Sequence, residues 1–112
     1  MAEKLPLETS CQTVKAKLDA CDHFVLLDCR EEDEYATVCI AGAKLFPMSQ
    51  LMAKAAELEP FRDCEVVVHC HHGGRSMQVT RWLRQQGFAK AQSMAGGIDA
   101  WAVEIDPSLP RY

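Results

Sequence analysis

The chain has 112 residues and a net charge of -4; 48% of its residues are hydrophobic and 25% are charged. A chain of this size and composition can bury one core without disulfides or structural metals, so we predict a single domain spanning residues 1–112. The first residues lack the basic and apolar segments of an export signal, and no stretch approaches the roughly 18 apolar residues that suggest a membrane span. We therefore expect a cytoplasmic protein with no membrane partner.

Helical and strand patterns alternate along the chain. The continuous apolar runs at 24–28 and 65–69 are typical of strands buried on both faces. In chain order, the predicted elements are a helix over 11–20 capped by Ser10, a strand at 24–28, a short helix opening at 31–34, a strand at 44–46, a helix over 49–58 capped by Ser49, a strand at 65–69, a helix over 76–86, a strand at 91–94 and a helix over 98–105. This alternation indicates an α/β fold with a central, mostly parallel sheet and helices on both faces.

Basic and acidic residues are unevenly distributed. Residues 1–65 carry a net charge of -6, whereas residues 66–98 contain four Lys or Arg residues and no acid. A local positive field on an acidic protein favours a small anionic ligand, while a nucleic-acid-binding protein would present a broad basic face. We therefore expect no nucleic acid partner. The acidic run at 31–34 is interpreted as the solvated face of a helix start.

Six cysteines are present, but no two of them form the C-x-x-C pair of a zinc ribbon or a thioredoxin-like site. In a reducing compartment we expect free thiols rather than a disulfide framework. The cysteines interpreted as small core residues are Cys11, Cys21, Cys29, Cys39 and Cys64. The sequence leaves open whether Cys29 or Cys39 lies close to the remaining cysteine, Cys70.

The segment V-V-V-H-C-H-H-G-G-R-S, residues 66–76, has the features of an anion-binding loop. It lies where a predicted strand ends and a predicted helix begins, which is where α/β folds bind ligands. Gly73 and Gly74 permit backbone conformations that turn successive N–H groups toward one point, next to the positive end of the helix. Such surroundings lower a cysteine pKa from about 8.5 into a range of roughly 3.5 to 7.5, so we predict that Cys70 is a nucleophilic thiolate. Arg75 adds a planar cation suited to an oxyanion.

Two other interpretations of this segment are a buried core cysteine and a metal site. A core cysteine would need neither two glycines nor an arginine nor a helix start. The four consecutive residues His69, Cys70, His71 and His72 cannot readily converge on one tetrahedral ion, because zinc ligands are normally spaced by two or more residues within each pair. We therefore predict no metal and no cofactor. His71 and His72 are placed at the pocket mouth, where they can donate hydrogen bonds or, when protonated, add charge.

Three segments, taken in order, carry a recognisable pattern. Residues 26–43 read L-L-D-C-R-E-E-D-E-Y-A-T-V-C-I-A-G-A, residues 70–76 read C-H-H-G-G-R-S, and residues 94–101 read M-A-G-G-I-D-A-W. These segments resemble the D-x-R-E-x-x-E-Y-x-x-G-H-I-P-G-A, C-x-x-G-x-R-S and G-G-x-x-x-W motifs of the rhodanese family, the single-domain sulfurtransferases. Any one motif is a weak signal, but together the three span nearly the whole chain.

The resemblance implies a rhodanese-like fold with a parallel five-stranded sheet, and a thiosulfate sulfurtransferase activity. Cys70 would take the outer sulfur of a small anionic donor, thiosulfate or a persulfide, and become a persulfide itself. Cyanide, a thiol or a sulfur-carrier protein would then accept that sulfur. The catalytic residue is then Cys70, and the substrate-binding residues are His71, His72, Gly73, Gly74, Arg75 and Ser76. Residues 96–112 are also similar to the end of rhodanese domains fused to adenylyltransferases that activate sulfur-carrier proteins. We expect a monomer.

Two other classes of function compete with sulfur transfer. Phosphatases and arsenate reductases of related fold have one residue more between cysteine and arginine, whereas four residues separate Cys70 from Arg75. The shorter loop should fit a sulfur atom better than a phosphate. A rhodanese-like domain can also be a non-enzymatic interaction or regulatory module, but retention of the cysteine and of the complete loop argues against an inactive copy.

Three pairs of residues have structural rather than catalytic interpretations. Asp28 and Arg30 are predicted to form an ion pair or to brace a loop at the end of a strand, with a supporting role at the pocket as the alternative. The others are the glycines at 96–97, interpreted as turn residues before the last helix, and the tryptophans Trp82 and Trp101, interpreted as core residues.

Overall fold

The computed structural model describes residues 5–20 and 23–112. Its strands are β1 (Glu8–Thr9), β2 (Phe24–Asp28), β3 (Lys44–Leu45), β4 (Glu65–His69) and β5 (Ala91–Met94). Its α-helices are α1 (Cys11–Asp19), α2 (Glu32–Thr37), α3 (Leu51–Lys54), α4 (Gly74–Gln85) and α5 (Gly97–Glu104), and 3-10 segments at Met48–Gln50 and Ala55–Phe61 flank α3. Within the described residues, no helix has the length and apolar character needed to cross a membrane.

All five strands pair in parallel in one sheet, in the order β1-β5-β4-β2-β3. The interior strands β2 and β4 stay in register over their whole length, from Phe24 opposite Glu65 to Asp28 opposite His69. Because the strands are parallel, their carboxyl ends meet at one edge of the sheet. Cys70 lies at this edge, directly after β4.

Helices cover both faces of this sheet and create two layers of core. The layer beneath α3 and α4 includes the buried residues Leu27, Cys29, Leu51, Val66, Val68, Cys70, Val79 and Leu83. The layer beneath α1 and α5 includes Val14, Leu26, Val67, Met94, Ile98 and Trp101. Since side chains along a strand alternate between the two faces, Cys29 and Cys70 project toward the same layer. The predicted α/β architecture, with helices on both faces, is confirmed.

The predicted elements differ from the structure mainly between β3 and β4, where residues 48–61 do not form a continuous α-helix. The sequence predicts one helix over 49–58. In the structure only the four residues of α3 are α-helical, and a 3-10 segment lies on each side of α3. Pro60 lies inside the second of these segments, where its ring and missing N–H disfavour a regular α-helix. Ser49 does not cap a helix as predicted; its hydroxyl bonds to the carboxylate of Glu31.

The first part of the chain agrees more closely with the predicted elements. The edge strand β1 was not predicted, because two residues are too short to show an alternating pattern; Glu8 pairs with Ser93 of β5. α1 is confirmed, with the Ser10 side chain accepting a hydrogen bond from the Thr13 amide at 3.1 Å. The prediction that Cys21 is a core residue lies outside the described residues.

Candidate active site

The Cys70 loop, residues 70–75, is held against the first turn of α5. The Ile98 amide donates a hydrogen bond to the Cys70 carbonyl oxygen at 2.8 Å. A Cβ atom at Gly97 would overlap that same oxygen, and the φ of Gly97 is 60°. Gly96 also has a positive φ and caps α5. The predicted turn glycines are thus confirmed, and their absence of side chains allows α5 to approach the loop.

Gly73 turns its amide toward the Cys70 sulfur. Its φ is 112°, in the left-handed region, and its amide nitrogen donates to Cys70 Sγ at 3.0 Å. Gly74 differs, because its φ is not in that region and an added Cβ would meet nothing within 4 Å. The conformational argument made for both glycines is therefore confirmed at Gly73 and wrong at Gly74. Since Gly73 completes the turn, α4 begins at Gly74, two residues earlier than predicted.

A pair of buried hydroxyls provides a second contact to the sulfur. Ser76 Oγ, in the first turn of α4, lies 3.5 Å from Cys70 Sγ. Ser93 Oγ, on β5, lies 2.7 Å from Ser76 Oγ. If Ser93 donates to Ser76, the single Ser76 proton can point either at the sulfur or at the Gly73 carbonyl oxygen, which lies 3.2 Å from Ser76 Oγ. Both serines are fully buried, so water does not compete for these bonds.

These contacts stabilise Cys70 as an anion. Its pKa is lowered from 9.0 to about 4, although only 1% of the residue is exposed and burial alone would raise it. The largest cause is a hydrogen bond from the Cys29 thiol, followed by the Ser76 hydroxyl and the amides of Ser76 and Gly73. The same contact strongly raises the pKa of Cys29, which stays a protonated donor. The thiolate predicted from sequence is consistent with this environment.

Arg75 forms an ion pair with Glu34, a residue of the acidic run that was predicted to be solvated. Its Nη1 and Nη2 donate to Oε1 and Oε2 of Glu34 at 2.7 and 2.9 Å. The Tyr112 hydroxyl donates to Glu34 Oε2 at 2.7 Å, and the pKa of Glu34 is lowered to about 2, chiefly by Arg75. The interpretation of the acidic run as a solvated face is therefore wrong for Glu34. Arg75 still places a positive charge near the Cys70 thiolate.

The predicted ion pair at the end of β2 is confirmed. Arg30 Nε and Nη2 donate to Asp28 Oδ1 and Oδ2 at 2.9 and 2.6 Å, and both side chains are fully buried. Arg30 also donates to the carbonyl oxygen of Val38 at 2.7 Å and to the Tyr112 hydroxyl at 3.0 Å. The pair therefore connects β2 to the segment that follows α2 and to the end of the described chain.

The three histidines around Cys70 lie in different environments. His69 is buried with Nε2 3.7 Å from Asp28 Oδ2, and burial lowers its pKa, which favours the neutral ring. The ring of His71 stacks against the ring of Tyr112, with centroids 3.8 Å apart, and against the ring of the exposed His72, with centroids 3.9 Å apart. Across the described ranges, no group of three His, Cys, Asp or Glu side chains is arranged to bind a metal ion.

A groove of about 440 Å³ lies away from the Cys70 loop. Leu18 of α1, Trp101 and Ile105 at the end of α5, and Cys39 line it. Trp101 belongs to the core layer opposite the one that contains the Cys70 side chain, and no residue of the Cys70 loop lines the groove. The prediction that Trp101 is a core residue is confirmed, since it is 5% exposed.

Four residues around Cys70 were not identified from the sequence as part of this site. They are Cys29, Glu34, Ser93 and Tyr112. Two of them carried a signal: Glu34 belongs to the E-x-x-E-Y segment, and Ser93 is a small polar residue within a predicted strand. Cys29 was interpreted as a core cysteine whose proximity to Cys70 was left open. Tyr112 lies in the segment 96–112, whose resemblance assigned it no role in the site.

Comparison with known proteins identifies the family that the chain resembles. The sequence profile of the Rhodanese-like domain family matches residues 10–104. The chain is 40% identical over 95 residues to the chloroplastic Rhodanese-like/PpiC domain-containing protein 12 of Arabidopsis thaliana, covering 81% of this chain but only 31% of that protein. It is 36% identical to the putative sulfurtransferase YtwF of Bacillus subtilis, covering 89% of this chain and 94% of the relative. The structure of the human single-domain sulfurtransferase TSTD1 superposes with a TM-score of 0.78 at 25% identity, covering 89% of this chain and 98% of that one.

Proposed function

The chain belongs to the Rhodanese-like domain family, and from that premise we propose that it is a sulfurtransferase that carries a sulfane sulfur on Cys70. The observation that carries the proposal is the buried sulfur of Cys70, which accepts a hydrogen bond from the Gly73 amide at 3.0 Å and whose pKa is lowered to about 4. A thiolate of this kind is a nucleophile at neutral pH.

The reaction has two displacements. The Cys70 thiolate attacks the outer sulfur of thiosulfate or of a small persulfide, the bond between the two donor sulfurs breaks, and sulfite or a thiolate leaves. A second nucleophile then attacks the outer sulfur of the Cys70 persulfide and restores the thiolate. Two half-reactions of this kind give ping-pong kinetics. The Gly73 amide and the Ser76 hydroxyl that hold the thiolate are available to stabilise the anionic outer sulfur.

The neighbours of the loop have proposed roles in binding the donor. His71, His72, Gly73, Gly74, Arg75 and Ser76 line the approach to the sulfur. In the arrangement described above both terminal nitrogens of Arg75 bind Glu34. Arg75 therefore contributes its charge to the attraction of an anionic donor, and its Nε–H, which the bonds to Glu34 do not use, can donate to the donor directly.

The proposed acceptor is a thiol or a sulfur-carrier protein. This part of the proposal rests on the resemblance of residues 96–112 to the end of rhodanese domains fused to adenylyltransferases. Cyanide serves as an acceptor in the assay. We propose no nucleic acid, membrane, metal or cofactor in the reaction.

Mass spectrometry of the intact protein tests the proposal. After incubation with thiosulfate and removal of the excess, we expect one added sulfur, mapped to Cys70, which cyanide removes as thiocyanate. Cys70→Ser should acquire no sulfur and show no turnover. An unmodified wild-type Cys70, or full cyanide-dependent turnover by Cys70→Ser, would contradict the proposal and favour an interaction module.

A further inference from the structure

Cys29 follows β2 and Cys70 follows β4, the strand next to β2 in the sheet. The register of β2 and β4 ends with Asp28 opposite His69, and the Cys29 amide donates to the His69 carbonyl oxygen at 3.0 Å. Extending that register by one residue places Cys29 opposite Cys70. Adjacent strands lie about 4.8 Å apart. Disulfides join cysteines whose Cα atoms are roughly 4.4 to 6.8 Å apart, a range that includes the spacing of adjacent strands.

The side chains of the pair face one another in a dry environment. Cys29 and Cys70 are each 1% exposed and belong to the same core layer. Neither cysteine is in a disulfide in this structure, and the neighbouring Cys29 thiol is the largest cause of the lowered pKa of Cys70. Two sulfurs in this relation can form a bond once the Cys70 sulfur becomes electrophilic. A persulfide provides that change, because its inner sulfur is bonded to a second sulfur that can leave.

The other cysteines in residues 5–20 and 23–112 have no such relation to Cys70. Cys11 is buried in the opposite core layer, where its sulfur lies 3.7 Å from the Ala95 carbonyl oxygen. Cys39 lines the groove on that side of the sheet, and Cys64 precedes β4, at the other end of the strand from Cys70. Among the described residues, Cys29 is therefore the cysteine placed to react with a sulfur bound to Cys70.

We propose that Cys29 is a resolving cysteine that releases the sulfur carried by Cys70 as hydrosulfide. The inference rests on the proposed sulfur transfer at Cys70. Cys29 Sγ attacks Cys70 Sγ of the persulfide; a bond between Cys29 and Cys70 forms, and the bond between Cys70 Sγ and the outer sulfur breaks. The outer sulfur leaves with the bonding electron pair and the Cys29 proton, as hydrosulfide. The sulfane sulfur is reduced, the two cysteines are oxidised to a disulfide, and an external dithiol reduces that disulfide to restore the enzyme.

The step gives the protein an activity distinct from transfer to an acceptor. An acceptor attacks the outer sulfur and returns Cys70 directly to the thiolate, whereas Cys29 attacks the inner sulfur and forms the disulfide. The two routes compete for one persulfide. Abundant acceptor favours transfer, and scarcity of acceptor favours release of sulfide and temporary inactivation of Cys70.

A single-turnover experiment tests the step. The wild-type protein is loaded with thiosulfate, separated from donor and reductant, and followed by sulfide assay and intact mass. We expect about one sulfide per loaded chain. The mass should fall from that of the persulfide to that of the reduced protein less two hydrogens, and peptide mapping should find the disulfide between Cys29 and Cys70. Adding a dithiol should restore loading.

Substitutions of Cys29 distinguish its ability to form a disulfide from its ability to donate a hydrogen bond. Cys29→Ser keeps a hydroxyl donor beside Cys70 but cannot form a disulfide, so its persulfide should persist and sulfide release should be lost. Cys29→Ala, which removes the donor as well, should also retain its persulfide. Cys64→Ser is the matched control, and should release sulfide as the wild type does.

The outcomes distinguish this inference from the proposed function. If the wild-type protein loads sulfur but keeps its persulfide as long as Cys29→Ser does, the resolving role is wrong while sulfur transfer stands. Equal sulfide release from Cys29→Ser would also overturn it, since another thiol would then be responsible. If neither thiosulfate nor a small-molecule persulfide loads Cys70, the proposed function fails and the inference fails with it.

Discussion

Two buried charges lie at the same edge of the sheet and are held in opposite ways. Arg30, after β2, is matched by the carboxylate of Asp28 through two hydrogen bonds. Cys70, after β4, is held by neutral donors: the Gly73 amide, the Ser76 hydroxyl and the Cys29 thiol. An opposite charge neutralises the first group. Neutral donors stabilise the second and leave its negative charge intact, so the sulfur remains a nucleophile.

This contrast predicts different consequences when a partner is removed. A buried ion pair that loses one member leaves an uncompensated charge in the core, so the loss should appear in folding stability. Loss of a neutral donor to Cys70 should instead appear in the pKa of the thiol and in the rate of sulfur loading. Four predictions follow this contrast, from the largest expected effect to the smallest.

The largest effect is expected at the ion pair. Arg30→Met should lower the free energy of unfolding by about 3–5 kcal/mol, because Asp28 would remain buried without its partner. Urea unfolding measures this difference. Lys15→Met is the matched control: it removes a solvent-exposed pair with Asp19 and should change stability by less than about 1 kcal/mol. Equal effects of the two substitutions would show that the buried pair has no special role in stability.

A second, smaller effect is expected at the glycines that shape the loop. Gly97→Ala places a Cβ against the Cys70 carbonyl oxygen, and the displaced loop should load sulfur on the order of 10²-fold more slowly. Gly74→Ala should load at the wild-type rate, because Gly74 can bind the donor only through its backbone N–H, which alanine keeps. It should unfold with equal or slightly higher free energy, since its φ is ordinary and space is open. Single-turnover loading with thiosulfate distinguishes them. A slow Gly74→Ala would contradict the assignment of the two positions.

A third effect concerns the pair between Arg75 and Glu34. Arg75→Ala should raise KM for thiosulfate by up to about fivefold, which corresponds to roughly 1 kcal/mol of lost attraction. Glu34→Gln should lower KM, because Arg75 would no longer be paired with a carboxylate. A persulfide donor without a sulfonate group is the control and should respond less. Unchanged thiosulfate kinetics in both variants would exclude a role for Arg75 in binding the donor.

The smallest effect near neutral pH is expected from titration of Cys70. Its loading rate should be constant down to about pH 5 and should be halved near pH 4, where the thiolate is half protonated. Cys29→Ala should move that decline to higher pH, whereas Cys29→Ser should move it less. A decline near pH 8 in the wild type, typical of an ordinary thiol, would contradict the proposed stabilisation.

The same titration contributes to stability with a definite sign. The folded-state pKa of Cys70 is depressed below the ordinary value of 9.0. The stability that the thiolate contributes is therefore complete above about pH 9 and is lost as the pH falls toward 4. The difference in unfolding free energy between the wild type and Cys70→Ser should decrease over that range.

Local patterns predicted much of the fold and part of the site. The strands β2 and β4 have the predicted bounds, because a continuous apolar run between polar residues is a local signal. The position of Cys70 after β4 followed from the same signal. The helix predicted over 49–58 failed because the prediction gave no weight to Pro60, whose ring and missing N–H disfavour a regular α-helix there.

The sequence by itself determined that strands and helices alternate, that Cys70 follows a buried strand, and that Gly73 allows the turn before α4. Each depends on residues close together in the chain. Only the tertiary structure decided that Cys29 faces Cys70, because strand register joins residues 41 positions apart, as it also joins Asp28 to His69. Pairing of Arg75 with Glu34 was likewise decided by the tertiary structure. A carboxylate is solvated or paired according to what the fold places beside it.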